Sequence, residues 1–151
     1  MQPSDIETRL HDAGLRATRP RAALYALLRA RGGHHSVDDL VRVLSETGEP
    51  LPRQTVYNVV SDLTGAGLLM VADVGPGRAL YEVADVWHHH FVCRRCETVI
   101  DVPCSTGAKP CLDAPAEVGV SIDEAQVIYR GLCADCLASA DGSDGPDGTD
   151  A

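Results

Sequence analysis

The sequence predicts an α+β chain in two parts, a helical N-terminal domain closed by a β-hairpin and a small α/β domain assembled around cysteines. Three observations predict it. Apolar residues recur at helical spacing through the first 66 residues. Two β-prone runs then flank the turn Gly75-Pro76-Gly77. Beyond them stand two Cys-x-x-Cys pairs, Cys93/Cys96 and Cys133/Cys136, the second after 36 intervening residues. Helices followed by a hairpin make a winged helix-turn-helix, expected over residues 1–84, with the cysteine domain over 85–137 and an acidic, disordered tail over 138–151.

Each element has a local cause. Ser4-x-x-Glu7 reads as a capping box ahead of Ile6 and Leu10. Thr18 is placed to cap a second helix with Pro20 in its first turn, and Gly32-Gly33 ends it. Ser36 caps a third, with Val37, Leu40, Val41 and Leu44 as its apolar stripe. After a turn at Gly48–Pro52, a fourth helix runs from about Arg53 to Ala66. The hairpin strands are Leu68–Val71 and Arg78–Val83. In the second domain strands are expected at His88–Val92, Thr98–Val102 and Ser121–Tyr129, with a short helix at Ala114–Val118.

Composition narrows the class. A hydrophobic share of 44% supports a core, and aromatics at 4% make it aliphatic. Nothing approaches the roughly 18 apolar residues of a membrane span, and the N-terminus lacks the basic start and apolar run of a signal peptide. A cytoplasmic protein with no membrane partner is expected, and there six cysteines argue for metal or redox chemistry before disulfides. The net charge of −9 is uneven: residues 1–63 hold eight Arg and eight acidic groups, whereas 85–151 hold four basic and twelve acidic. Acidity of the whole chain therefore does not exclude a nucleic-acid contact in the first domain.

Four thiols in two Cys-x-x-Cys pairs point to a closed tetrahedral zinc site. The wide spacing is tolerable, because doubling a loop costs only about 0.6 kcal/mol against roughly 10 kcal/mol from structural zinc. In Trp87-His88-His89-His90, strand alternation places His88 and His90 on one face and His89 on the other. With a carboxylate from Glu82 or Asp101 and a histidine from His34 or His35, this donor set suits Fe(II), Mn(II), Zn(II), Co(II) or Ni(II). The competing reading is a solvated histidine cluster. Cys104 and Cys111 are candidate redox thiols or simply half-buried thiols. At the N-terminal end of the fourth helix, Arg53, Gln54, Thr55, Tyr57 and Asn58 are placed to reach base edges in a major groove. Arg16, Arg19 and Arg21 are placed to hold phosphates, the alternative being ordinary helix surface.

The motifs Gly14-x-Arg16-x-Thr18-x-x-Arg21, Gln54-Thr55-Val56-Tyr57, His88-x-His90-x-x-Cys93-x-x-Cys96 and Cys133-x-x-Cys136 together resemble the ferric uptake regulator family of bacterial metal-dependent repressors, over roughly residues 5–137. More narrowly, Cys104, Pro110-Cys111-Leu112 and the run from Glu124 to Cys133 resemble its actinobacterial branch linked to catalase-peroxidase genes. The resemblance implies a homodimer on double-stranded operator DNA, with the C-terminal domains as the dimerisation part. It implies structural Zn(2+) on the four cysteines. It implies a regulatory metal, Fe(2+) or Mn(2+), Zn(2+) or Ni(2+), on His34, Glu82, His88, His90 and Asp101. His34 is preferred to His35 because it lies six residues before Leu40, as the family histidine does before its leucine. A further peripheral metal site of some members is lost, since Trp87 and Ala108 replace ligands. Asp101 is similar to the carboxylate of peroxide-sensing members, in which a ligand histidine is oxidised. The expected function is thus a peroxide-responsive repressor of an oxidative-stress gene such as a catalase-peroxidase, and of its own gene. The alternative within the family is a metal-uptake regulator for iron, zinc or nickel.

Two other classes fare worse. The zinc-deaminase motifs H-x-E and P-C-x-x-C and the zincin motif H-E-x-x-H are absent, so no enzyme is expected. A zinc-ribbon interaction module would leave the histidines and the Tyr57 helix without a role.

Overall fold

The structure, a computed structural model, describes residues 3–105, 118–122 and 125–141. It divides into two compact units, Met1–Val86 and Trp87–Ala151.

The first unit comprises α1 (Pro3–Asp12), α2 (Arg19–Arg31), α3 (Val37–Glu46), α4 (Arg53–Gly65) and an antiparallel hairpin of β1 (Leu69–Asp73) and β2 (Ala79–Val83). Its core is aliphatic, as the composition requires: Leu10, Leu24, Leu28, Val56, Val60 and Leu63 are fully buried, with Tyr25 as the one large aromatic among them. Each such leucine contributes about 1.5–3 kcal/mol through burial. Helix α3 buries Val37, Leu40, Val43 and Leu44, with Val41 at the core's edge. Its N-terminus carries a full capping box, in which the Asp39 amide donates to Ser36 Oγ at 3.1 Å and the Ser36 amide and hydroxyl donate to Asp39 Oδ2. The Ser4 box does not form. Pro3 already opens α1, which puts Ser4 inside the first turn, where its carbonyl accepts from Thr8 Oγ1. Thr18 precedes α2 in extended geometry, yet its side chain makes no cap hydrogen bond.

In the second unit β3 (His88–Cys93) is central among the three strands of the described residues. It pairs antiparallel with β4 (Val99–Pro103) and parallel with β5 (Ile128–Gly131). Helix α5 (Ala134–Asp141) closes the described chain. Two expectations are corrected here. The strand expected over 121–129 begins only at Ile128 and runs to Gly131, because pairing with His90–Cys93 sets its limits. The expected tail from 138 is helical as far as Asp141, since the alanines around Cys136 and Leu137 favour a helix. The expected helix at Ala114–Val118 lies, but for its last residue, outside the described residues. At Gly131 an added Cβ would come within 3.3 Å of the Phe91 ring, so the glycine lets β5 close on β3 beside the cysteines. Among the described residues no helix is long and apolar enough to cross a membrane.

Candidate metal centres and nucleic-acid surface

Parallel pairing brings the ends of β3 and β5 together, with Cys93 opposite Gly131. Cys93 closes β3, and Cys96 follows in a turn whose Glu97 has φ of 60°. Cys133 immediately precedes α5, and Cys136 lies in its first turn. The four sulfurs lie within 4.8 Å of one another, and Cys96 Sγ is 3.6 Å from Cys133 Sγ. Tetrahedral zinc with bonds of about 2.3 Å requires sulfur separations of about 3.8 Å, so the cluster has the size of the ion. Backbone supports it: the Cys133 amide donates to Cys93 Sγ at 3.4 Å, and Arg95 Nη1 donates to the Cys136 carbonyl at 2.9 Å. Backbone N–H groups from Cys96 and then Cys133 hold the Cys93 thiol down to about 6. Burial, then the neighbouring thiols, pushes Cys136 up to about 12. Four thiols so close cannot all ionise alone, and a divalent cation is what reconciles them. The cluster is a structural metal site with the donor set of zinc.

The histidine and carboxylate candidates fall into two groups, one in each unit. In the first, consecutive glycines with φ of 62° and 68° at Gly32 and Gly33 turn the chain back after α2. His35 then exchanges backbone hydrogen bonds with Tyr81 of β2, at 3.0 and 2.8 Å. This bridge sets His34 beside Glu82, with Nε2 3.3 Å from Oε2 and both side chains largely buried. The His35 ring instead lies 2.7 Å from the Gly32 carbonyl. In the second unit, alternation along β3 brings the His88 and His90 rings together at 4.8 Å, and His88 Nε2 is 3.3 Å from Asp101 Oδ1 on β4. His90 and Asp101 are register partners. His89 faces the other way, buried edge-on to Trp87 and Tyr129. Borderline nitrogen donors beside carboxylates fit a first-row divalent ion. Cys104 follows β4 and is half-buried, while Cys111 and Ala108 lie outside the described residues.

Helix α4 turns Val56, Val59, Val60 and Leu63 inward. Its other face exposes Arg53, Gln54, Tyr57 and Asn58, with Thr55 half-buried. Tyr57 is 51% exposed, a large aromatic on a polar face. Gln54 Nε2 donates to Asn58 Oδ1 at 2.9 Å, so the two amides order each other one turn apart. Arg16 is exposed in the turn before α2. Arg19 and Arg53 are exposed but paired with Glu49 and Asp38. Arg21 is 22% exposed, tied to Asp62 of α4 and, through Nη1, to the Arg16 carbonyl. Sequence reasoning missed these acidic partners and Arg95. Their separations, 15 to 41 residues, leave no local signal.

Residues 12–130 match the model of the ferric uptake regulator family. Transcriptional regulator FurA of Mycobacterium tuberculosis is 40% identical over 137 residues, spanning 89% of this chain and 92% of that protein. Ferric uptake regulation protein 1 of Mycolicibacterium fortuitum is 39% identical over 126 residues, spanning 83% and 78%. Among solved structures, the ferric uptake regulator from Pseudomonas aeruginosa with manganese superposes with a TM-score of 0.68 at 29% identity, covering 85% of this chain and 97% of that one.

Proposed function

Because the chain belongs to the ferric uptake regulator family of transcriptional regulators, we propose that it is a peroxide-responsive, metal-dependent repressor. It acts in the cytoplasm as a homodimer on double-stranded operator DNA, and it controls an oxidative-stress gene such as a catalase-peroxidase together with its own gene. Zinc on Cys93, Cys96, Cys133 and Cys136 is structural. The regulatory ion is Fe(II), with His34, Glu82, His88, His90 and Asp101 as its ligand set.

The observation that carries this reading is the repeated histidine–carboxylate pair, His34 with Glu82 and His88 with Asp101, one in each unit. Neither pair alone satisfies a first-row ion. The related Pseudomonas regulator was solved with manganese, an ion of the same ligand preference. When bound, Fe(II) would activate a peroxide O–O bond for cleavage. What this chain would contribute is an imidazole, His34 or His88, oxidised by two electrons by one hydrogen peroxide: one oxygen atom is added to the ring, the other leaves as water, and the histidine ceases to be a ligand. Gln54, Thr55, Tyr57 and Asn58 present the base-reading groups.

The test is protein isolated anaerobically, assayed for metal content and for retention of an operator fragment at each metal occupancy. Retention is expected with Fe(II) and lost after peroxide, with one oxygen atom added to the peptide of His34 or His88. Retention indifferent to chelation of the labile metal overturns the repressor reading. Metal-dependent retention that survives peroxide, with neither histidine modified, leaves a plain metal-uptake regulator. A disulfide at Cys104 or Cys111 in place of the modified histidine assigns sensing to the thiols.

A further inference from the structure

Of the arginines expected to meet DNA, three are already held by carboxylates from other parts of the first unit. Arg19 lies against Glu49, with Nη2 2.8 and 3.0 Å from the two carboxylate oxygens and Nε at 3.2 Å. Arg53 Nε donates to Asp38 Oδ1 at 2.7 Å. Arg21 donates to Asp62 Oδ2 at 2.6 and 3.2 Å. The pairs differ in availability. Arg19 and Arg53 side chains are 80% and 66% exposed, whereas Arg21 is 22% exposed and also committed to the Arg16 carbonyl. Arg16 is exposed and makes no ion pair among the described residues.

Carboxylate and phosphate compete for the same guanidinium edge, since both accept two parallel N–H bonds. We infer that Glu49 and Asp38 set an affinity threshold for DNA binding: each occupies the edge of an arginine that a backbone phosphate would take, so Arg19 and Arg53 reach phosphate only by exchange. Exposed ion pairs are weak, so exchange is open. It nevertheless leaves a carboxylate facing the phosphate, which penalises every duplex alike. Only a sequence that also satisfies Gln54, Tyr57 and Asn58 recovers the loss. The even balance of eight arginines and eight acidic groups in residues 1–63 agrees with a domain that does not rely on general attraction to DNA. Arg21, half-buried and tied on two sides, takes no part in the exchange.

This rests on the DNA-binding reading above. The experiment measures binding of the full-length, metal-loaded protein to an operator duplex and to a mixed-sequence duplex over a salt series. Glu49→Gln and Asp38→Asn are each expected to tighten mixed-sequence binding by about fivefold, the equivalent of roughly 1 kcal/mol for a unit-charge pair at 4 Å in water. Each steepens the log–log salt slope by about 0.9, one further phosphate contact. The operator complex tightens by the same factor, so the ratio of the two affinities is unchanged while mixed-sequence occupancy rises. Asp12→Asn removes the same charge from an exposed site on α1 without an ion-pair partner among the described residues, and leaves both quantities unchanged. Equal gains in all three variants mean net charge alone and overturn the inference. Weaker mixed-sequence binding by the Glu49 and Asp38 variants also overturns it, since the carboxylates would then be aiming the arginines. Failure of the unaltered protein to retain either duplex under any metal loading overturns the DNA-binding reading itself, and is read from that protein alone.

Discussion

His34 and His35 are neighbours with opposite assignments. The backbone of His35 is spent on its bridge to Tyr81 and its ring lies on the Gly32 carbonyl, while His34 is delivered to Glu82. His34→Ala is therefore expected to weaken regulatory-metal binding by more than the roughly 10- to 100-fold typical of an outer-shell partner. His35→Ala stays below about tenfold, because its backbone bridge survives; competition with a metal chelator measures both. Asp39 is a residue whose role changes with pH. Hydrogen bonds from the Ser36 hydroxyl, and then its amide, hold the Asp39 carboxyl below its ordinary value of 3.8. The stabilisation is thus fully present above that value and lost as pH falls through the lowered one. Asp39→Ala should cost about 0.5–2 kcal/mol at neutral pH, and urea midpoints of the two proteins should converge as pH falls through the lowered value. Little of this residue-level detail was legible in the chain. Adjacent histidines look alike in sequence, and only the resemblance preferred His34. The capping box at Ser36 rests on Asp39, not the glutamate of the Ser4-x-x-Glu7 pattern.

At the scale of elements, the helices and the hairpin of the first unit were legible because their apolar periodicity and their breakers agree. Failures came where a partner outside the segment decides. Ile128 begins β5 because it meets His90, and no property of residues 121–127 announces that. Helix α5 carried a signal in its alanines, but Gly and Asp beyond Asp141 outweighed it in composition. Gly33 is the turn on which an element-level prediction rests. Its φ of 68° is one that an L side chain adopts at a cost of about 1–2 kcal/mol. Gly33→Ala should lower the melting temperature of the first unit by about 4–16 °C, read by circular dichroism, and weaken metal binding through His34 without removing a ligand.

For the whole molecule, the four-cysteine site was legible from spacing alone, since four thiols in two tight pairs have few other uses. The arginine–carboxylate pairs were not, because they join residues distant in sequence. The two units also hold together by different means. The first has its own core of buried leucines and valines, drawn from residues 6–69. The core cluster beside the second unit's metal site is three cysteines with Phe91 packed against them. Cys133→Ser should abolish zinc retention and remove cooperative unfolding of the second unit, since structural zinc is worth roughly 10 kcal/mol there. The first unit should keep its helical signal and its own transition. Metal analysis with thermal unfolding followed by circular dichroism checks this, and a single lost transition for the whole chain would count against it.

The parallel pairing of β3 with β5 has a consequence in time. The chain must travel from Cys93 through β4 and back before a strand can lie alongside β3, so Cys133 emerges 40 residues later. At ~5–20 residues per second of synthesis, Cys93 and Cys96 wait about 2–8 s without their partners. Over that interval they form a two-thiolate site, for which copper outranks zinc. Fidelity of zinc loading in the newborn chain is therefore decided by the arrival of β5, not by the preference of the first cysteine pair.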